Sequence, residues 1–232
     1  MADVTRAALP DAADKSRAVE DMFDRIAPRY DALNRALTFR MDVRWRRITV
    51  VELGLAPPAR VLDLACGTGD LCGELARAGH EPVGADFSIG MLRAAHVDAP
   101  YVRADAMRLP FPDRAFGGIT CGFGLRNFAD LEPVAHECAR VLPAGGRLAL
   151  LEISEPVSPL VRFGHNVWFR HVVPFVGGLV SDRDAYRYLP ASTAYLPSIP
   201  DFFALLTRAG FGELSRRQLG LGAAQLVTGT RR

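Results

Sequence analysis

The chain is poor in several things, and each shortage narrows what it can be. It has 28 basic residues but a single lysine, Lys15, and a formal net charge of only +2. So even a balance argues neither for nor against nucleic acid, and no nucleic-acid partner is expected. There are four cysteines, Cys66, Cys72, Cys121 and Cys138, none in a CxxC pair. Neither a zinc centre nor a disulfide framework is expected, so no metal site is assigned, and a reducing cytoplasm is the simplest compartment. No run reaches the ~18 apolar residues that a membrane span needs. The most apolar stretch, Val172 to Val180, is broken by one proline and two glycines. Met1 to Lys15 has no apolar centre and carries three aspartates, so it does not read as a signal peptide. What is present is an ordinary globular balance: 232 residues, 49% hydrophobic and 23% charged.

The pattern divides the chain unevenly. Residues 1–17 read as a polar tail. Residues 18–54 read as a helical cap, with Val19, Met22, Phe23, Ile26 and Tyr30 at helical spacing. Pro28 is expected to bend or break that helix. A second helix is expected from Asp42, as its N-cap, to Leu53, stopped by Gly54. From Arg60 the texture changes to short apolar strands alternating with helices. Strands are expected at 61–65, 82–85, 101–104, 115–121 and 146–153, with two closing strands at 211–218 and 223–230. Helices are expected at 70–78, 88–95, 131–142 and 199–209. Alternation of this kind implies crossover units and a parallel sheet within one α/β domain, 55–232. An aromatic insert, about 155–198, interrupts it.

The chemistry is densest at Val61-Leu62-Asp63-Leu64-Ala65-Cys66-Gly67-Thr68-Gly69-Asp70. Here a strand ends in an acid, a loop with Gly67 and Gly69 follows, and a helix begins. Glycines let backbone approach a ligand closely, and a helix N-terminus offers free amides and a positive dipole end. A dinucleotide fingerprint fails because Cys72 occupies the third glycine position, and no GK[ST] follows for a P-loop. Asp63 can answer a cationic amine, which S-adenosylmethionine has and NAD lacks. Asp86 ends the second strand at the spacing of an acid that binds ribose hydroxyls. Asp105-Ala106 follows the third strand, where adenine would be read. Surface loop aspartates are the bland alternative for any one of these acids.

These residues resemble a known group. VLDLACGTGD looks like the first motif of class I methyltransferases, and Asp105 to Phe111 resembles their adenine-side segment. Phe123-Gly124-Leu125-Arg126-Asn127 and Phe23 to Asn34 resemble the quinone C-methyltransferases of menaquinone and ubiquinone biosynthesis. Trp45-Arg46, Tyr186 to Leu189 with Ser192, Phe202 and Ala209-Gly210-Phe211 fit the same pattern. The resemblance implies a Rossmann-like, doubly wound, mostly parallel seven-stranded sheet with an N-terminal helical cap. It implies S-adenosylmethionine as cofactor, with Thr68, Asp86, Asp105 and Ala106 contacting it. It implies a demethylated polyprenyl quinol as acceptor, demethylmenaquinol foremost and the benzoquinol next. Gly122 stands where the family often has serine, so that contact is not carried over. Ala65 replaces the first glycine of many such loops.

Carbon methylation of a quinol needs a group that favours the phenolate. Arg126 is the candidate, a permanent cation, with Asn127 orienting a hydroxyl or a water. Arginine is a poor proton acceptor, so a water or a nearby carboxylate is needed as well. Capping of the helix near Asp130 is the bland reading of both residues. Tyr30 and Asn34 could close over the site, and His165 and His171 could line an acceptor pocket. His80 and His136 read as structural. The insert offers apolar residues flanked by Arg162, Arg170 and Arg183, which suits a lipid tail or peripheral contact with an anionic membrane. Plain core or a homodimer contact would explain it equally. Rival functions are methylation of another small or lipid acceptor, or S-adenosylmethionine binding without catalysis. A nicotinamide dehydrogenase is more distant.

Overall fold

The computed structural model describes residues 12–168, 173, 188 and 191–232. Two helices lead, α1 (Ala12–Leu37) and α2 (Met41–Leu53), followed by β1 (Arg60–Leu64), α3 (Asp70–Arg77), β2 (Glu81–Asp86), α4 (Ile89–Arg93) and β3 (Tyr101–Arg103). Then come β4 (Gly118–Gly122), a 3-10 turn at Leu125–Asn127, α5 (Leu131–Val141), β5 (Arg147–Ile153) and α6 (Pro159–Val167). A second 3-10 turn at Ser192–Tyr195, α7 (Ile199–Arg208), β6 (Phe211–Leu219) and β7 (Ala224–Arg231) complete the described residues.

The strands form one seven-stranded sheet in the order β3-β2-β1-β4-β5-β7-β6. The first five are parallel, whereas β7 runs antiparallel to both β5 and β6. A strand buried on both faces reads as a continuous apolar run rather than an alternation. That is why 61–65 and 146–153 were legible. Along β5, Leu148 and Leu150 pack with α5 and α7 on one face, while Ala149 and Leu151 pack with α2 and α3 on the other. The strand order reverses between β1 and β4, so a crevice opens beyond their carboxyl ends, the usual ligand position of such sheets.

Three local expectations are corrected. The helix expected at residue 18 begins by Ala12, so residues 12–17 belong to α1 rather than to a tail. Lys15 is buried there, its Nζ donating to the Phe128 carbonyl at 2.6 Å and lying 3.6 Å from the Tyr195 ring centroid. Second, α1 runs unbroken through Pro28. Proline removes one hydrogen bond and crowds the preceding turn, but side chains on both sides of it are tied down, Asp24 to Ser88 and Gly90 and Arg35 to Asp70, and these hold the two halves. Third, Asp42 is no N-cap. The cap position is Arg40, in the left-handed region, while the Asp42 carboxylate accepts from Thr38 Oγ1 and Arg46 Nη1, each at 2.6 Å. The expected stop at Gly54 stands, with φ +69°.

Candidate functional site

The cofactor loop is folded by its own sequence. β1 delivers the chain to Ala65, which adopts φ +52°, and Gly67 and Gly69 follow at +56° and +89°. Three left-handed residues in five turn the loop back on itself, and the two glycines do so without Cβ strain. A Cβ on Gly67 would meet nothing within 4 Å, so the backbone there faces open space. Asp86, at the end of β2, laces this loop. Its Oδ2 accepts from the Gly67 amide at 2.8 Å and its Oδ1 from the Ser88 amide at 2.9 Å. Burial pushes the Asp86 carboxyl above the usual range, and the amide bonds from Ser88 and Gly67 oppose that push. After β3, Asp105 accepts from the Met107 amide at 2.9 Å, beside buried Ala106.

Gly67, Asp86, Asp105, Ala106, Asn127 and Tyr30 all line one cavity at the carboxyl edge of the sheet. Gly122 and Phe123 continue its wall, and Val19, Glu20 and Phe23 of α1 cover it. The residues fit S-adenosylmethionine: a side-chain-free backbone surface at Gly67, carboxylates at Asp86 and Asp105 that could meet ribose and adenine, and apolar wall residues such as Leu64, Ala85 and Met91. Asn127 leaves its side-chain oxygen buried with no partner, which is what a polar site awaiting a ligand looks like.

Other expected residues lie elsewhere. Asp63 is beneath the loop and off the cavity wall. Its Oδ1 accepts from Thr120 Oγ1 at 2.9 Å, its Oδ2 lies 3.4 Å from Cys72 Sγ, and burial raises its carboxyl to about 7. Thr68 gives its hydroxyl to Asp31 Oδ1 of α1 at 2.8 Å. Gly69 starts α3, and a Cβ there would collide with the Tyr101 hydroxyl. Asn34 pairs with the Tyr30 hydroxyl, whose acidity is suppressed first by burial and partly restored by the charges of Arg126 and Arg46. His165 does not reach this cavity. It lies on α6 in a separate cleft with Ser154, Asn166 and Arg216. His171 lies outside the described residues.

Arg126 and Asn127 form the 3-10 turn after β4, and neither caps α5. Asp130 does that, accepting from the Glu132 amide at 2.9 Å. Arg126 is only 2% exposed. Its Nη1 donates to Glu152 Oε1 at 2.5 Å and to the Phe123 carbonyl at 2.8 Å. Glu152 also accepts from the Arg126 amide at 3.3 Å and the Ile153 amide at 2.9 Å. Glu152 is thus a buried carboxylate held against Arg126, and sequence reading passed it over. The signal was a lone acid in the apolar run Leu148-Ala149-Leu150-Leu151-Glu152-Ile153.

Sequence reading also passed over the clips from α1. Asp24 accepts from Ser88 Oγ at 2.5 Å and from the Gly90 amide at 2.9 Å. Gly90 permits this approach, since a Cβ there would lie 2.8 Å from the Asp24 Cα. Arg35 donates to Asp70 at 2.6 Å, and His96 bridges Asp31 and Asp70 at 3.5 and 3.3 Å. The signal was again positional: residues 24, 31 and 35 share one face of a helix.

Comparison with known proteins agrees with this geometry. The chain matches the ubiE/COQ5 methyltransferase family over residues 11–231. It is 45% identical to the demethylmenaquinone methyltransferase of Thermus thermophilus, covering 90% of this chain and all of that one. It is 42% identical to the protein of the same name from Deinococcus radiodurans, covering both chains fully. Among solved structures, a SAM-dependent methyltransferase of Thermotoga maritima superimposes with TM-score 0.62 at 19% identity, covering 92% of this chain and all of that one. That likeness speaks to the fold: a class I methyltransferase sheet with the cavity at its carboxyl edge. With sequence match, sheet order and cofactor cavity in agreement, this chain belongs to the ubiE/COQ5 methyltransferase family and is an S-adenosylmethionine-dependent methyltransferase.

Proposed function

We propose that the acceptor is a demethylated polyprenyl quinol, most specifically demethylmenaquinol, methylated at a ring carbon to give menaquinol. The observation that carries this is the buried Arg126–Glu152 pair, whose arginine directly precedes Asn127 of the cavity wall. The names of the relatives from Thermus and Deinococcus support the naphthoquinol over the benzoquinol.

When bound, S-adenosylmethionine supplies an electrophilic methyl on a sulfonium. Gly67, Asp86, Asp105 and Ala106 hold it, and Thr68, Gly69 and Asp63 shape the loop from behind. Arg126 stabilises negative charge on the phenolic oxygen, which makes the adjacent ring carbon nucleophilic. Glu152 fixes the guanidinium so that its charge faces one way. Asn127 receives a hydrogen bond from the acceptor or from water. Tyr30, oriented by Asn34, closes the chamber from α1 and excludes solvent, which strengthens every charge interaction inside. Holding the two reactants together supplies much of the rate. For each methyl gained, the sulfonium C–S bond would break as the ring C–C bond forms, leaving a neutral thioether, and the displaced ring proton would pass to water.

The acceptor's tail belongs in a bilayer, and α6 offers a face for one. Leu160, Phe163 and Val167 are 82%, 72% and 43% exposed at helical spacing. Exposed Phe39 lies beside the end of α6, its ring centroid 5.1 Å from that of Trp168, and Arg40 and Arg44, which follow it in the chain, are exposed. An apolar stripe rimmed by arginine matches an anionic lipid surface at the inner face of the membrane. The rival occupant is a second copy of the chain. No described helix is long and apolar enough to cross a membrane.

The direct test extracts quinones from cells lacking the protein. Accumulated demethylmenaquinone, cleared when the gene is restored, is the expected result. An unchanged quinone pool sinks the acceptor assignment while leaving the family intact.

A further inference from the structure

Three buried polar atoms near the Arg126 turn have no partner among the described residues: Arg126 Nε, the Asn127 side-chain oxygen and the Tyr188 hydroxyl. Buried polar groups are nearly always paired, so three orphans in one neighbourhood call for an explanation. Tyr188 packs in the apolar cluster that also holds Tyr30 and Phe23 beneath α1. Its hydroxyl feels the charges of both Arg126 and Glu152, so it lies near that pair, and the cluster it packs in includes Tyr30 of the cavity wall. Burial holds that phenol at about 12, so it stays a hydrogen-bond donor at every working pH. Tyr30, by contrast, already has Asn34.

The orphans differ in kind. Arg126 Nε and the Tyr188 hydroxyl can donate, whereas the Asn127 oxygen can only accept. Two donors and one acceptor match a dihydroxy aromatic ring whose one oxygen is becoming anionic while the other keeps its proton. A site built to bond such oxygens leaves its own polar atoms unpaired when empty. We propose that Tyr188 is a further acceptor-binding residue, its hydroxyl donating to the phenolic oxygen of the quinol alongside Arg126 Nε. This rests on the quinol reading above. It adds a residue from the aromatic insert to a site otherwise built by β4, β5 and α1. It also makes the reduced ring, rather than the oxidised quinone, the species the site selects.

The test is Tyr188→Phe, which deletes one oxygen and keeps the ring. Removal of a donor to a developing oxyanion is expected to lower kcat/KM for the quinol by about ten- to a hundredfold. The cofactor Kd should stay unchanged. The melting temperature should hold or rise, since an unpaired buried hydroxyl is lost. A short-chain naphthohydroquinone should bind the native enzyme more tightly than its di-O-methyl ether, and the variant should lose most of that preference. Full activity with unaltered discrimination overturns the proposal. So does a fall in melting temperature that tracks the fall in activity, because that would make Tyr188 structural. If the native protein binds the hydroquinone through Tyr188 yet methylates no quinol, the Tyr188 site stands and the quinol reaction falls. Failure of the native protein to bind the ring at all overturns both.

Discussion

At the scale of single residues, the site is a set of charges whose neighbours decide their use. Arg126→Ala removes the proposed phenolate stabiliser, but it also strands Glu152, which is 1% exposed. An unpaired buried carboxylate costs about 3–5 kcal/mol, so the single variant should fold poorly. Replacing both partners, as Arg126→Met with Glu152→Leu, should restore the melting temperature to near the native value while turnover stays abolished. Thermal melts beside a turnover assay check this, and recovered activity would remove Arg126 from the chemistry. Asp63 carries a pH prediction. Its folded-state value is about 7, against ~3.9 in an unfolded chain. The folded protein therefore holds a proton that the unfolded chain has lost, and stability falls as pH rises from about 4 to about 7. Asp63→Asn should flatten that slope in melts across this window, and a slope left intact would place its origin elsewhere. Gly122 can be improved. A Cβ there meets Leu71 at an ordinary 3.7 Å, so packing does not demand glycine. Gly122→Ser adds a hydroxyl on the cavity wall and should tighten cofactor binding by about two- to tenfold, one hydrogen bond's worth; calorimetric titration measures it.

At the scale of elements, α1 does more than cover the sheet. Its polar face reaches the cofactor loops at Ser88, Gly90, Thr68 and Asp70. These contacts tie the covering helix to the loops that form the cofactor site. Asp24→Ala removes two of these bonds. If each contributes about 1 kcal/mol, cofactor dissociation should quicken by roughly thirtyfold. Stopped-flow release of S-adenosylmethionine tests this, and an unchanged rate would mean that α1 does not gate the cavity. Sequence periodicity recovered this helix from its apolar face alone. Its polar face gave no such signal, because no one-dimensional pattern says that a second element lies against it. Pro28 misled for the same reason, since its local effect is outweighed by anchors on both sides. Asp42 looked like a cap until Arg46 and Thr38 were seen to take its oxygens.

At the scale of the whole molecule, the cavity and the apolar face of α6 belong to one proposed task, drawing a ring from a bilayer into a closed chamber. Leu160→Asp with Phe163→Asp should abolish co-sedimentation with phosphatidylglycerol vesicles. It should leave turnover of a water-soluble, short-tailed quinol within about twofold, because neither side chain touches the cavity. If instead the native protein ignores vesicles and is a dimer that these substitutions split, the face is an interface between copies.

Sequence alone determined the strand-and-helix alternation, the glycine loop, and the acids Asp86 and Asp105. Each is dictated by local physics: continuous apolar runs for doubly covered strands, left-handed backbone at glycine, and an acid where a strand ends. Tertiary structure decided which acids face the cavity and which lie beneath it, so Asp86 and Asp105 line it whereas Asp63 does not. It decided that His165 stands apart. It brought Glu152 to Arg126, 26 residues away, and Asp24 to Ser88, 64 residues away. Those pairings depend on the order in which strands join the sheet and on how α1 crosses its edge, and both are set by burial of the whole apolar surface rather than by any neighbouring residue.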